Sequence, residues 1–224
     1  MIKSLATKAM LAAGAATVAI STVSAPAEAA VITYTDRANW QSALSGLGWS
    51  ASPPEQFNAV IPDADSIIFA NGVLSDGSPN TQFGVNQVVG GAYNGGLTTS
   101  ATSPFYTQIK WTFPTSTRGF GADWFNTFSG GAASLQVTIA GQTINIANAL
   151  GGGGNGFLGF ISDTPFTEAT FSVGGSGDLA YDADNLSYAQ NSTVVPTPAL
   201  LPGLIGMGIA AWRKRKGEAA ETEA

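Results

Sequence analysis

The sequence lacks two residue types that carry much of enzyme chemistry, because it contains no cysteine and no histidine. Catalytic triads and dyads built on these residues are therefore excluded, and so are the zinc sites that they form. Without cysteine no disulfide can stabilise the fold, so its stability depends on a hydrophobic core or on bound ions. Charged residues are also scarce, at 11% of the chain against about 25% in ordinary domains.

Positive charge is especially rare between the two ends of the chain. Residues 30–193 contain three bases and eleven acids, which gives this part a net charge of −8. A surface of this charge repels phosphate backbones, so the composition argues against nucleic acid as a partner. Cations and neutral glycans remain compatible with it.

The first 29 residues have the three parts of a secretory signal peptide. Lys3 and Lys8 form a positive region, residues 9–23 are apolar or small, and Ala27 and Ala29 bracket a small-x-small cleavage site. The alternative, an amphipathic helix of the mature fold, would need a polar face, and the segment has none. We therefore predict export through the Sec machinery and cleavage after Ala29.

Residues 30–190 have the pattern of one mainly β domain. An early stretch favours a single short helix, with Thr35 or Asp36 as its cap, Trp40 and Leu44 one turn apart, and Gly46 at its end. The stretch "SLQVTIAGQTINIANA" alternates on both sides of an Ala-Gly turn and favours a hairpin. Short strands separated by turn residues predict an antiparallel β-sandwich of jelly-roll type.

The stretch "FYTQIKWTF" alternates strictly and predicts a strand with one buried face, ending at Pro114. Tyr106 falls on the opposite face, which makes it the candidate for an exposed ring that stacks on a glycan. The alternative is that the aromatic residues belong to the core, and this is expected for Trp111, Phe113, Phe120 and Trp124.

A second candidate site lies in the stretch "GDLAYDADNLSY". Asp182 and Asp184 share one face of a regular strand, and Asn185 adds a third oxygen ligand of the kind that Ca²⁺ takes. A cation would relieve the repulsion between the two carboxylates. The alternative is a solvated strand end at which Asn185 makes a turn hydrogen bond.

The C-terminal stretch contains three unlike features in a fixed order. A linker at 191–198 contains Pro196, Thr197 and Pro198, an apolar glycine-rich helix and a basic cluster fill 199–216, and a polar end follows at 217–224. The helix of residues 199–212 would span about 21 Å, which is short of the ~30 Å hydrocarbon core. Four bases beside it would hold that end in the cytoplasm and place the domain outside; they are Arg213, Lys214, Arg215 and Lys216.

This tail resembles a PEP-CTERM sorting signal, and "PTPALLPG" is similar to the PTPA variant of the cyanobacterial type. The resemblance implies recognition of the tail by an exosortase-type processing enzyme and an ectodomain associated with extracellular polysaccharide. Thr197 stands where the family motif has Glu, which leaves the identity of the processing enzyme open. "RGFGADW", "GFLGFISDTPFTEATF" and "DADNLSY" also resemble segments of the lectin-like β-sandwiches that carry such tails.

The sequence therefore predicts an exported cell-surface or extracellular-matrix protein, non-enzymatic and structural or glycan-associated. One alternative is a secreted glycan hydrolase that uses a pair of carboxylates, since the eleven acids could supply one although none lies in a motif. Another is a domain anchored permanently in the membrane by the C-terminal helix.

Overall fold

The computed structural model describes residues 29–78, 85–100, 105–129 and 133–191. The Pro-Thr-Pro motif, the apolar helix, the basic cluster and the predicted signal peptide up to residue 28 lie outside these residues. Within the described ranges, no helix is long and apolar enough to cross a membrane.

The described residues form twelve strands and two helices. The first strands are β1 (Val31–Tyr34), β2 (Trp49–Ala51), β3 (Ser66–Ile68), β4 (Leu74–Ser78), β5 (Asn86–Val89) and β6 (Ala92–Thr98). The later ones are β7 (Gln108–Phe125), β8 (Phe128–Ser129), β9 (Ala133–Ile139), β10 (Gln142–Asn145), β11 (Gly156–Gly174) and β12 (Asp178–Asn191). The helices are α1 (Arg37–Gly46) and α2 (Ile146–Ala149).

The prediction of a mainly β, antiparallel fold is confirmed, and the arrangement is consistent with a β-sandwich. The central strand order is β10-β9-β11-β7-β12-β6-β5, and all strand pairs among the described residues are antiparallel. The long strands β7 and β11 pair with each other along both of their halves. The first half of β7 also pairs with β4, whereas its second half pairs with β12.

Strand β7 does not end at Pro114, as the sequence predicted, but continues to Phe125. Its pairing with β11 stops at Thr112 and resumes at Thr117. A proline is tolerated where a strand has no ladder partner. Pro114 therefore marks the division of β7 into two halves rather than its end.

The core is built from aromatic side chains, as the alternating pattern predicted. Trp111 contacts the rings of Phe171 and Trp124 at centroid distances of 4.6 and 5.8 Å. Burying one aromatic side chain removes about 150–250 Å² from water, worth roughly 4–6 kcal/mol before the cost of ordering it. The four aromatic residues that the sequence placed in the core are all buried, and they are Trp111, Phe113, Phe120 and Trp124.

Helix α1 forms where the sequence predicted it, because its signals are local. The Asp36 side chain accepts a hydrogen bond from the Asn39 backbone N–H at 2.8 Å and caps the first turn. Trp40 and Leu44 are fully buried against the sheet. The Trp40 ring lies on Gly159, where a Cβ atom would come within 2.7 Å of it.

The predicted hairpin is also observed. Strands β9 and β10 are joined by Ala140 and Gly141, so that Ile139 pairs with Gln142. Both turn residues have positive φ, 48° and 86°. Two consecutive residues in the left-handed region give a two-residue turn whose twist suits a β-hairpin.

Candidate functional site

The two aspartates of the predicted calcium site lie on the outward face of β12, but they have different partners. Asp182 lies opposite Phe125 of β7, and its Oδ2 accepts a hydrogen bond from Asn126 Nδ2 at 2.7 Å. Asp184 lies opposite Asp123 of β7. The structure therefore places Asp184 opposite Asp123, a neighbour that the sequence did not indicate.

Arg37, at the start of α1, supplies one positive charge to this second pair and bonds Asp123. Its Nη2 lies 3.1 Å from Asp123 Oδ1. Asn185 has a φ of 52° and directs its Nδ2 at Asp123 Oδ2 (2.9 Å) and Asp184 Oδ2 (3.2 Å). Burial raises the pKa of Asp184, and the Asp123 carboxylate adds to this, while the Asn185 N–H and Arg37 oppose it.

These contacts do not fit a calcium ion. The cation beside the carboxylates is the Arg37 guanidinium, and Asn185 turns a donor rather than an oxygen towards them. In the part of the chain that the structure describes, no three Asp, Glu, Cys or His residues form a group that could hold a metal. The cluster ties α1 to β7 and β12 through these contacts.

The prediction that Tyr106 is exposed is wrong. Its side chain is 1% exposed, and its ring fills the space above Gly77, where a Cβ atom would lie 2.5 Å from it. The hydroxyl donates to Asp65 Oδ1 at 3.0 Å, and burial together with this carboxylate raises the pKa of the phenol. The alternating pattern fails here because β7 begins at Gln108, two residues later. Tyr106 is thus unavailable for stacking on a glycan.

A groove of about 390 Å³ lies where the loop of residues 52–58 crosses the end of β12. Ser52 and Tyr188 exchange two hydrogen bonds, from Ser52 N to Tyr188 O and from Tyr188 N to Ser52 Oγ. Glu55 and Leu186 exchange two backbone hydrogen bonds. The loop is therefore held against β12 at both points. The groove lies between the loop and β12, so both of its walls are fixed.

Glu55 is the one acid in the lining of this groove, which contains no base. Its Oε1 accepts from the Phe57 N–H at 3.0 Å, and its Oε2 accepts from the Asn71 N–H at 2.9 Å. Phe57 has a φ of 49°, a conformation that costs a residue of this size about 1–3 kcal/mol. The buried Phe57 ring packs edge-on against Phe69 at 5.0 Å and holds the strained backbone in place. Glu55 is thus positioned in advance of any ligand.

Neutral hydrogen-bonding groups and apolar walls complete the groove. The Tyr188 hydroxyl donates to Asn71 O and accepts from Gln190 Nε2, both at 3.3 Å. Pro53 and Pro54 supply apolar surface beside them. Such a mixture binds a small polar ligand by hydrogen bonds while covering its apolar faces.

The sequence did not indicate the groove, because "ASPPEQF" looks like an ordinary loop with turn-forming residues. A pair of prolines beside a glutamate is the signal that the stretch offers, and by itself it indicates no particular chemistry. Comparisons with protein-family models, with curated proteins and with solved structures give no match to the chain. The chemistry of the groove is therefore derived from its own residues.

Proposed function

We propose that this chain is an exported cell-surface or extracellular-matrix protein that binds extracellular polysaccharide without modifying it. Its domain would be a jelly-roll type of β-sandwich, delivered by the signal peptide and sorted by the C-terminal signal. In this proposal the C-terminal helix inserts in the membrane, transiently or permanently, with the domain outside. The observation that carries the glycan part is the preformed groove around Glu55.

The groove supports glycan binding through the kinds of groups that it presents. Sugars carry many hydroxyls that both donate and accept, and side-chain amides and carboxylates are suited to them. The lining contains four amide side chains beside its single carboxylate, and they are Gln56, Asn58, Asn71 and Gln190. Its volume is near the lower end of the usual range for ligand sites, about 300–1,000 Å³.

The same groove is less suited to glycoside hydrolysis than to glycan binding. Glycoside hydrolysis uses two carboxylates about 5–9.5 Å apart, one on each side of the bond that is cut. Glu55 is the one carboxylate in the groove lining, so the lining does not supply the second. This supports binding without catalysis.

Retention of the full-length chain on insoluble polysaccharides tests the glycan proposal. We expect the wild-type chain and the Gln108→Ala variant to be retained equally, since Gln108 is an exposed glutamine on β7 outside the groove. Gln190→Ala should be retained several-fold less, because it removes a groove amide. Equal retention of both variants would contradict the assignment to this groove.

Mass spectrometry of the C-terminal peptide from the surface-exposed protein tests the sorting proposal. If residues 196–216 are read by a processing enzyme, the peptide ending in residues 221–224 is absent from the mature form. If that peptide remains attached, the tail is a permanent anchor, and the sorting part of the proposal is wrong.

A further inference from the structure

The groove contains a negative charge that no base in its lining balances. Of the bases among the described residues, Arg37 is paired with Asp123 and Lys110 with Glu168, and Arg118 lies on β7, outside the lining. The domain as a whole is strongly acidic. A ligand that enters the groove therefore meets a negative potential, which favours a cation and disfavours an anion.

Glu55 retains the capacity to bind that cation. A carboxylate has about four acceptor sites, and the Phe57 and Asn71 N–H groups use one on each oxygen. One acceptor site therefore remains on each oxygen. A primary ammonium has three donors and can satisfy both, whereas a hydroxyl has one. Hydrogen bonds between charged partners are also roughly twice as strong as neutral ones.

The residues around Glu55 determine which other groups of a ligand can lie in the groove beside a bound ammonium. The Gln190 amide and the Tyr188 hydroxyl lie on the β12 side of the groove, and Gln56 and Asn58 lie on the loop side. These groups suit ring hydroxyls better than they suit an alkyl chain. Because the loop is fixed by its hydrogen bonds to β12, the ligand does not have to order it, which lowers the cost of binding.

We infer that the groove binds a sugar that carries a free amino group, with the ammonium on Glu55 and the ring hydroxyls on the neighbouring amides. This inference rests on the proposed function and narrows its ligand to an amino-sugar polymer. Acidic polysaccharides are the ligands that the same carboxylate disfavours.

Calorimetric titration of the purified full-length chain with matched oligomers tests the inference. The probes are glucosamine oligomers, N-acetylglucosamine oligomers of equal length, and lysine oligomers of equal charge. We expect the free amino sugar to bind at least about five-fold more tightly than its acetylated form, the factor that corresponds to about 1 kcal/mol. This preference should shrink in about 1 M salt, where the screening length is near 3 Å.

Two variants test whether the preference for the free amino sugar comes from the charge of Glu55. Glu55→Gln keeps the shape of the side chain and removes its charge, so it should abolish the preference for the free amine. Because Glu55 also orders the loop, Gln190→Ala provides the matched comparison: it should weaken both sugars equally and leave the preference intact. Thermal melting of each variant shows whether its fold is retained.

The outcomes separate the inference from the proposed function. Equal affinity for the free and acetylated sugars would overturn the inference and leave glycan binding standing. Equal affinity for the lysine and glucosamine oligomers would show that charge alone is recognised, which also overturns it. Binding of none of the probes, together with no retention on any polysaccharide, would overturn both.

Discussion

Substituting Gly119 by alanine tests how closely β7 and β11 are packed. A Cβ atom at this position would lie less than 3.0 Å from the carbonyl oxygen of Phe160, a backbone atom of β11. A flexible side chain could move away from such a contact, but a paired strand cannot do so without disturbing its ladder. The β11 backbone must therefore shift in the Gly119→Ala variant.

The expected loss of stability in the Gly119→Ala variant is the sum of two costs. Inserting a methyl group into a packed interior costs about 1–3 kcal/mol. The same Phe160 oxygen accepts the Trp40 Nε1–H at 3.2 Å, so its displacement leaves a buried donor unsatisfied, which costs about 1–3 kcal/mol more. We expect a loss of roughly 4 kcal/mol in the free energy of unfolding. At about 2–4 °C per kcal/mol for a domain of this size, the melting temperature should fall by about 8–16 °C.

Thermal unfolding followed by circular dichroism measures this difference, and Gly153→Ala is the matched control. At Gly153 the nearest atom to a new Cβ is the Leu150 oxygen, 3.9 Å away. Both substitutions reduce the entropy of the unfolded chain alike, so the difference between them isolates the contact with Phe160. If Gly119→Ala melts within about 2 °C of Gly153→Ala, the close approach of the two strands is refuted.

Three further predictions follow from the turn, the buried tyrosines and the aspartate cluster. Ala140→Asn should raise the melting temperature by about 1–4 °C, because asparagine tolerates the φ of 48° better than alanine does; a lower value would contradict the turn geometry. Burial raises the pKa of Tyr93 to about 12 and that of Tyr181 well above its usual value. This favours the neutral phenols in the folded state, so their contribution to stability is complete below about pH 10 and is lost above it. The urea midpoint should therefore fall as the pH rises from about 10 to about 12, and a midpoint that stays constant over this range would contradict the prediction. Calcium and a chelator should both leave the melting temperature unchanged, because Arg37 already neutralises Asp123; a rise of several degrees with calcium would restore the metal hypothesis.

The elements that the sequence predicts well are those whose determinants lie close together in the chain. Helix α1 has its cap, its buried stripe and its final glycine within residues 36–46. The β9–β10 hairpin has its turn between two alternating runs. Burial of Trp111 and Phe113 follows from the period of two within the first half of β7.

The failures arise where a residue's environment comes from distant parts of the chain. Tyr106 is buried because Gly77 of β4 leaves room for its ring, and no local pattern contains that information. Asp123 and Asp184 meet because of the register between β7 and β12. The strict alternation around Tyr106 could not show that the strand begins two residues after it.

The groove was unpredictable for a related reason. Its loop is separated by more than a hundred residues from Tyr188 and Gln190, which form its other wall. The groups that fix Glu55 are backbone N–H groups, which every residue except proline possesses. Side-chain identity therefore carried little information about the position of this carboxylate.

The pairing of the first strands with the last has a consequence for when the domain can fold. Val31 of β1 pairs with Ser162, and Trp49 of β2 pairs with Asn191 at the end of the final strand. A chain that emerges from its N-terminus onwards therefore has no partner for β1 and β2 until nearly the whole domain has been made. Contacts between such distant residues form slowly. Strands β1 and β2 thus stay unpaired for most of the synthesis of the domain, although local pairs such as β5–β6 can already form.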